Sequence, residues 1–197
     1  MIDEGAIKFE CNWIRGPPPA AESIRELNAT RQRLYERGLI GHDPEANVDY
    51  GNISIRGPEP DQLIITGTQT GHFPELAAEH FVLITDWNML SNSVSCFGAI
   101  KASSETLTHA AIYALSDEIN AVIHVHDTAD WERLCGSIPT TAAGVAYGTP
   151  AMAEEFNTLF NESNLADRKV AAMGGHAGGI ISFGAGLAEA EQRLLQI

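Results

Sequence analysis

The stretch AVIHVHD, residues 121–127, ends an apolar, β-branched run with two imidazoles one residue apart. Side chains at i and i+2 of a strand share a face, so His124 and His126 point the same way and could bind one metal ion. The same pattern describes two polar residues on the wet side of an antiparallel strand, and the pair alone does not choose between these readings. A third histidine, His176, stands in the glycine-rich turn MGGHAGG, where a backbone nearly free of side chains lets other groups approach. Taken singly it is a surface turn residue. Combined with the other two it completes a three-histidine set with a coordination position left for water or substrate, the arrangement of catalytic zinc. Glu105, in SSET, opens a helix, where a carboxylate either complements the helix dipole or moves a proton.

Other motifs built on these residues fail on spacing. A metallo-hydrolase HxHxDH run needs an aspartate two places after the second histidine and then another histidine, whereas Asp127-Thr128-Ala129-Asp130 follows His126. A cupin would place a glutamate three or four residues on in an all-β chain, but the nearest here is Glu132. The glycines of ITGTQTG and MGGHAGG form neither GxGxxG nor GxxxxGK, which argues against a dinucleotide fold or a P-loop.

Hydrophobic periodicity supplies the elements that must position these side chains. Ile7, Phe9, Cys11 and Trp13 alternate with polar residues and predict a strand. Ile24, Leu27, Leu34 and Tyr35 form one helical stripe from Glu22 to Arg37, with Gly38 as its C-terminal stop. Strands are expected at 52–56, 63–66, 81–85, 94–97, 121–126, 170–173 and 180–183. Helices are expected from Ser103 to about Ser116, at 130–134 and 150–160, and from Leu187 onward. Hydroxyl caps and the first-turn carboxylate of Glu105 mark the start of the helix at Ser103. Together they make a layered α/β chain with hairpin-like connections. Gly16-Pro17-Pro18-Pro19 reads as a linker, dividing residues 1–21, an N-terminal strand and Pro-rich linker, from a body at 22–197.

Composition restricts the partners. At 197 residues and 44% hydrophobic content, the chain can bury about 70% of its unfolded surface as one domain without a staple. A net charge of −14 with only 12 Lys+Arg argues against nucleic acid or an anionic membrane, whose affinities rest on basic patches. Three cysteines and no basic-then-apolar N-terminus imply free thiols and a cytoplasmic protein. No apolar run reaches the roughly 20 residues of a membrane span.

YGNIS (50–54), ITGTQTGH (65–72), KASSETLTHAAIY (101–113), AVIHVH (121–126), YGTPAMAEE (147–155) and GGHAGGIISFG (174–184) occur in that order. Together they resemble the class II aldolase/adducin family over roughly residues 22 to 196. The resemblance implies a three-layer α/β/α fold with a central, largely antiparallel sheet. It implies His124, His126 and His176 as ligands of a divalent metal, usually zinc, and Glu105 as the proton-shuttling carboxylate. Asn52, Ser103 and Ser104 match phosphate-holding positions, and part of TGTQTG, either Thr68 or Thr70 with Gly71, should join them. The implied function is a metal-dependent aldolase-type lyase acting on a small, possibly phosphorylated, hydroxy-carbonyl or sugar compound. Epimerase, dehydratase or decarboxylase chemistry, or a non-catalytic adducin-like module, are the alternatives. A homotetramer with active sites near subunit contacts is implied as well. His109 is expected to be buried and structural, and Trp87, Tyr113 and Trp131 to be core or interface aromatics.

Three departures from the family pattern stand out. Asp49-Tyr50 occupies the place of a small hydroxyl residue, and a carboxylate there should repel a phosphate. Only seven residues separate Pro139 from Tyr147, too few for the loop that brings a proton-donating tyrosine to a neighbouring subunit, and Tyr147 itself is expected at the start of the following helix. The chain stops at Ile197 directly after the last helix, so no tail is expected over the pocket.

Overall fold

The structure, a computed structural model, describes residues 6–197. In chain order its elements are β1 (Glu10–Arg15), α1 (Ala21–Glu36), β2 (Gly41–Asp43), β3 (Val48–Tyr50), β4 (Asn52–Arg56), β5 (Leu63–Thr66), β6 (Phe81–Asn88), β7 (Ser93–Gly98), α2 (Thr106–Tyr113), β8 (Ala121–His126), α3 (Thr128–Leu134), α4 (Pro150–Glu162), α5 (Leu165–Arg168), β9 (Val170–Ala172), β10 (Gly179–Gly184) and α6 (Leu187–Leu195). Eight strands form one sheet in the order β1-β7-β6-β5-β4-β8-β10-β9, and β2-β3 form a separate hairpin. Among the described residues of the large sheet only β1 and β7 run parallel; the other pairs are antiparallel.

Strand alternation separates two cores, one on each face of the sheet. Val122, Ile181 and Phe183 pack with Leu107 and Ile112 of α2 and Met152 and Phe156 of α4. Ile123, Val125 and Ile180 pack on the opposite face with Ile24, Leu27 and Leu34 of α1 and Ala190 and Leu194 of α6. The result is a three-layer α/β/α architecture, and burial on both faces explains why the central strands read as continuous apolar runs rather than as alternating ones.

Several boundaries differ from the sequence expectation. The first strand starts at Glu10, not near Ile7, because its pairing is set by the length of β7, from Glu10 opposite Ser93 to Arg15 opposite Gly98. α2 is shorter than expected. Ser103 forms a turn ahead of it, its carbonyl accepting from Thr106 N–H (3.1 Å) and Oγ1–H (2.7 Å), which leaves Glu105 at the N-cap. The hairpin β2-β3 was not anticipated. Asp43 Oδ1 accepts from the N–H groups of Glu45 and Ala46 (2.8 and 3.1 Å), and this side-chain turn sets the hairpin tip.

Candidate metal centre and active site

β8 places Val122, His124 and His126 on one face, the face covered by α2. His176 reaches them from the turn between β9 and β10, which closes through Met173 N–H to Gly179 O (2.9 Å) and Gly179 N–H to His176 O (2.8 Å). Gly179 is required there, since a Cβ would lie 2.5 Å from His176 Cδ2. One nitrogen from each imidazole lies within 4.8 Å of the others. His126 Nε2 and His176 Nε2 stand 3.0 Å apart. Two nitrogens bound to one tetrahedral zinc would be about 3.3 Å apart, so the cluster is close to a ligating arrangement.

Electrostatics suit the same use. Burial, and then the neighbouring imidazoles His126, His176 and His109, push the His124 pKa well below its ordinary value; burial, followed by His126 and Lys8, does so for His176. Burial lowers the His126 pKa to about 4. All three rings are therefore neutral near pH 7 and present lone pairs, as metal ligands must. His124 Nε2 is buried with no hydrogen-bond partner among the described residues, a costly arrangement that a bound cation would resolve. Glu105, 1% exposed at the N-cap of α2, brings Oε1 to 3.4 Å from His176 Nε2.

Asn52 on β4 lies directly opposite His124 in the register, with its amide 3.4 Å from His124 Nδ1. Its Oδ1 is buried without a partner among the described residues. Turning the amide by 180° would let Oδ1 accept from Nδ1–H and leave the Nε2 lone pair for a metal. Two residues along, Ser54 Oγ meets His109 Nδ1 (2.7 Å) and Tyr113 Oη (2.9 Å) in a buried network, which makes His109 structural, as expected. Trp131 donates from Nε1 to Met173 O (2.9 Å) and so braces the His176 turn.

Asn52, Thr68, Thr70, Gly71, Ser103 and Ser104 do come together, lining one slot with Asp49. Its volume is only about 20 Å³, room for roughly one water. Thr70 turns its hydroxyl into its own loop, donating to Gly67 O (2.9 Å). Asp49 is not a bare repelling charge: it accepts from His42 Nδ1 and His72 Nδ1, each at 2.7 Å. Burial opposes its ionisation, but the hydrogen bonds from His72 and His42 outweigh that, and its pKa falls below the ordinary carboxylate value.

A larger cavity, of about 670 Å³, opens beside His126 and His176 and is walled by Lys8, Tyr50 and Tyr147, among others. The placement of Tyr147 corrects the sequence expectation. α4 starts only at Pro150, with Thr149 as its cap, and Gly148 at φ +63° turns the chain so that Tyr147 packs against His176, ring centroids 4.6 Å apart. Lys8 Nζ lies 3.4 Å from the centre of the Tyr147 ring, and the Tyr147 hydroxyl accepts from Ala6 N–H (3.2 Å). Lys8, His42 and His72 had not been singled out in the sequence. Lys8 meets Tyr147 from the far end of the chain, and His42 and His72 meet Asp49 through a hairpin and a loop that carry no hydrophobic pattern.

The fold has known counterparts. The structure of an L-fuculose 1-phosphate aldolase superposes with a TM-score of 0.67 at 18% identity, covering 91% of this chain and 82% of that one. YgbL from Klebsiella pneumoniae, described as a putative aldolase/epimerase/decarboxylase, gives 0.65 at 18% identity over 89% and 84% of the two chains. A sugar-phosphate aldolase from Thermotoga maritima gives 0.64 at 17% identity over 89% and 90%. In sequence, a probable L-ribulose-5-phosphate 4-epimerase, UlaF, from Mycoplasma pneumoniae is 28% identical over 99 residues, which is 50% of this chain but only 36% of that relative. The model of the class II aldolase and adducin N-terminal domain matches residues 25–197, from α1 through the three histidines to the end, and the chain belongs to that family.

Proposed function

We propose that this chain is a divalent-metal-dependent lyase of the aldolase type, acting on a small hydroxy-carbonyl compound. One observation carries the reading: a buried carboxylate, Glu105, stands 3.4 Å from one of three converging, neutral imidazoles. His124, His126 and His176 would hold the ion, with zinc suited to an all-imidazole set. When bound, the ion would supply positive charge to stabilise an oxyanion next to a breaking carbon–carbon bond.

The remaining steps belong to the chain's own groups. Asn52 fixes the His124 tautomer through Nδ1. Glu105 takes the proton of the substrate hydroxyl as the bond breaks and returns it to carbon, a role that needs the carboxylate within hydrogen-bond reach of both. The slot formed by Asn52, Thr68, Thr70, Gly71, Ser103 and Ser104 has room for about one water and would take no more than a single small polar group of the substrate. A homotetramer in the cytoplasm belongs to the same reading, and sedimentation tests the assembly. Among the described residues no helix is long and apolar enough to cross a membrane.

The test combines metal analysis with one substitution. Protein prepared with zinc available should carry about one ion per chain and lose it on His124→Ala. Glu105→Gln should keep the ion and lower turnover on a hydroxy-carbonyl panel by at least about a hundredfold, the scale of a lost general base. Absence of metal from the unaltered protein, or full turnover in Glu105→Gln, overturns the assignment. A loaded protein that turns over nothing in the panel supports the adducin-like module instead.

A further inference from the structure

We infer that Cys11 and Cys96 are a peroxide-responsive thiol pair that closes into a reversible disulfide between β1 and β7. Their sulfurs stand 3.8 Å apart although the residues lie 85 positions apart in the chain. In the parallel register Cys11 is opposite Val94 and Cys96 is opposite Trp13, so the two thiols are diagonal neighbours on one face of the sheet, the face packed on α2 and α4. Cys11 is half-buried and open to a small solute, whereas Cys96 is only 1% exposed. An accessible thiol with a second thiol in contact behind it is the arrangement of a redox sensor and its resolving partner.

Electrostatics sort the roles in the same way. The Cys96 S–H donates to Cys11 and, against burial, lowers its pKa, with the Ala102 backbone and Lys101 assisting; that same bond, followed by burial, raises the pKa of Cys96. Cys11 is therefore the thiolate that attacks first. It attacks one oxygen of hydrogen peroxide, the O–O bond breaks, and the leaving hydroxide takes up the proton that Cys11 had released. The peroxide is reduced and Cys11 becomes a sulfenic acid. With no thiolate left at Cys11, the largest cause of the raised Cys96 pKa is gone. The Cys96 thiolate then attacks the Cys11 sulfur, the S–O bond breaks, and the leaving hydroxide joins the Cys96 proton as a second water. Diagonal neighbours on adjacent strands have Cα atoms about 7–8 Å apart, just beyond the usual disulfide span, so closure draws β1 against β7. β1 ends the sheet and is held by β7 on one side, which permits the shift. The strain left in the bond makes it easy to reduce.

The experiment treats the reduced 197-residue chain with hydrogen peroxide, caps the remaining thiols with a maleimide and maps the peptides by mass spectrometry. A link between Cys11 and Cys96 should form within one chain, at least about tenfold faster than any oxidation at Cys135, and reduced glutathione should reopen it. Cys11→Ser should leave Cys96 unoxidised under the same treatment, and Cys96→Ala should stop at a Cys11 sulfenic acid that dimedone labels. Parent protein oxidised at Cys11 with Cys96 still free, a link from either thiol to Cys135, or a link that resists excess glutathione overturns the inference. The parent protein alone yields each of these three readings, so a Cys96→Ala chain that fails to fold does not remove the test.

Discussion

Replacing Arg31 by Met should destabilise the protein by about 3 kcal/mol without touching the three histidines. Arg31 lies on α1 with 1% exposure, yet its guanidinium serves a loop some forty residues away. It donates to the carbonyls of Thr70 (3.0 Å), Gly71 (3.1 Å) and Pro74 (3.2 Å), and it lies over the Tyr35 ring at 4.6 Å. Methionine keeps the aliphatic stem and removes all of these bonds. The carbonyls at Thr70 and Gly71 belong to buried residues, and each would lose its partner at about 1–3 kcal/mol. The lost ring contact adds about 0.5–1 kcal/mol. Against this, a thioether is far cheaper to bury than a guanidinium, which offsets part of the sum. A loss of about 3 kcal/mol is a large share of the 5–15 kcal/mol typical of such domains. Urea unfolding should show a lower midpoint at unchanged slope, and hydrogen exchange should quicken through residues 67–74. Arg31→Lys should recover only part of the loss, because an ammonium lacks the planar fork that reaches several carbonyls together. A loss below about 1 kcal/mol for Arg31→Met would refute the view that this side chain pins the loop.

Stability should fall with pH below neutrality, partly through His109. Burial lowers its pKa to about 3, so between about 6.5 and 3 the unfolded chain binds a proton that the folded one refuses. That costs about 2 kcal/mol at pH 5 relative to pH 8, and the stability–pH curve of His109→Gln, measured by denaturant unfolding, should lack this contribution. Gly148→Ala should cost about 1–3 kcal/mol, since a side chain there meets both a φ of +63° and the Ser104 carbonyl. Gly38→Ala, at φ +74° with nothing within 4 Å, is the control and should cost less; thermal unfolding of both separates steric collision from backbone strain. Cys11 should be the first thiol alkylated by iodoacetamide: the Cys96 Sγ 3.8 Å away and, more weakly, Lys101 lower its pKa, whereas burial raises that of Cys135. Peptide mass spectrometry that finds Cys135 labelled first would contradict this.

The parts of the fold that were legible in the sequence are those whose apolar pattern repeats locally. β4, β5 and β8 have the bounds that periodicity gives them, because each is a run of apolar residues buried on one or both faces. The hairpin β2-β3 was not legible. GHDPEANVDY contains only two aliphatic residues, Ala46 and Val48, and its register is held by the Asp43 turn and by the His42–Asp49 pair opposite each other, neither of which leaves a hydrophobic signature. α5, four residues between Asn164 and a left-handed Lys169, is too short to show a helical stripe.

The site divides along the same line, and the division explains why its converging histidines were easier to read than the walls of its cavities. His124 and His126 are tied together by the two-residue period of β8, and Glu105 by the start of α2, so local rules place them before any tertiary contact is known. His176 needed only the turn between two visible strands. The walls of the two cavities, by contrast, are built from residues brought together by the whole topology: Lys8 ahead of the edge strand β1, Tyr147 ahead of α4, and Asp49 on a hairpin outside the main sheet. The reading of Asp49 shows the consequence. As a residue type beside Asn52 it is a charge that repels phosphate, whereas in the fold it is a carboxylate clamped by His42 and His72 on the wall of a slot already too small for one. Volume limits what the slot can take before charge does, so enlarging the slot should do more to admit a phosphate than neutralising Asp49.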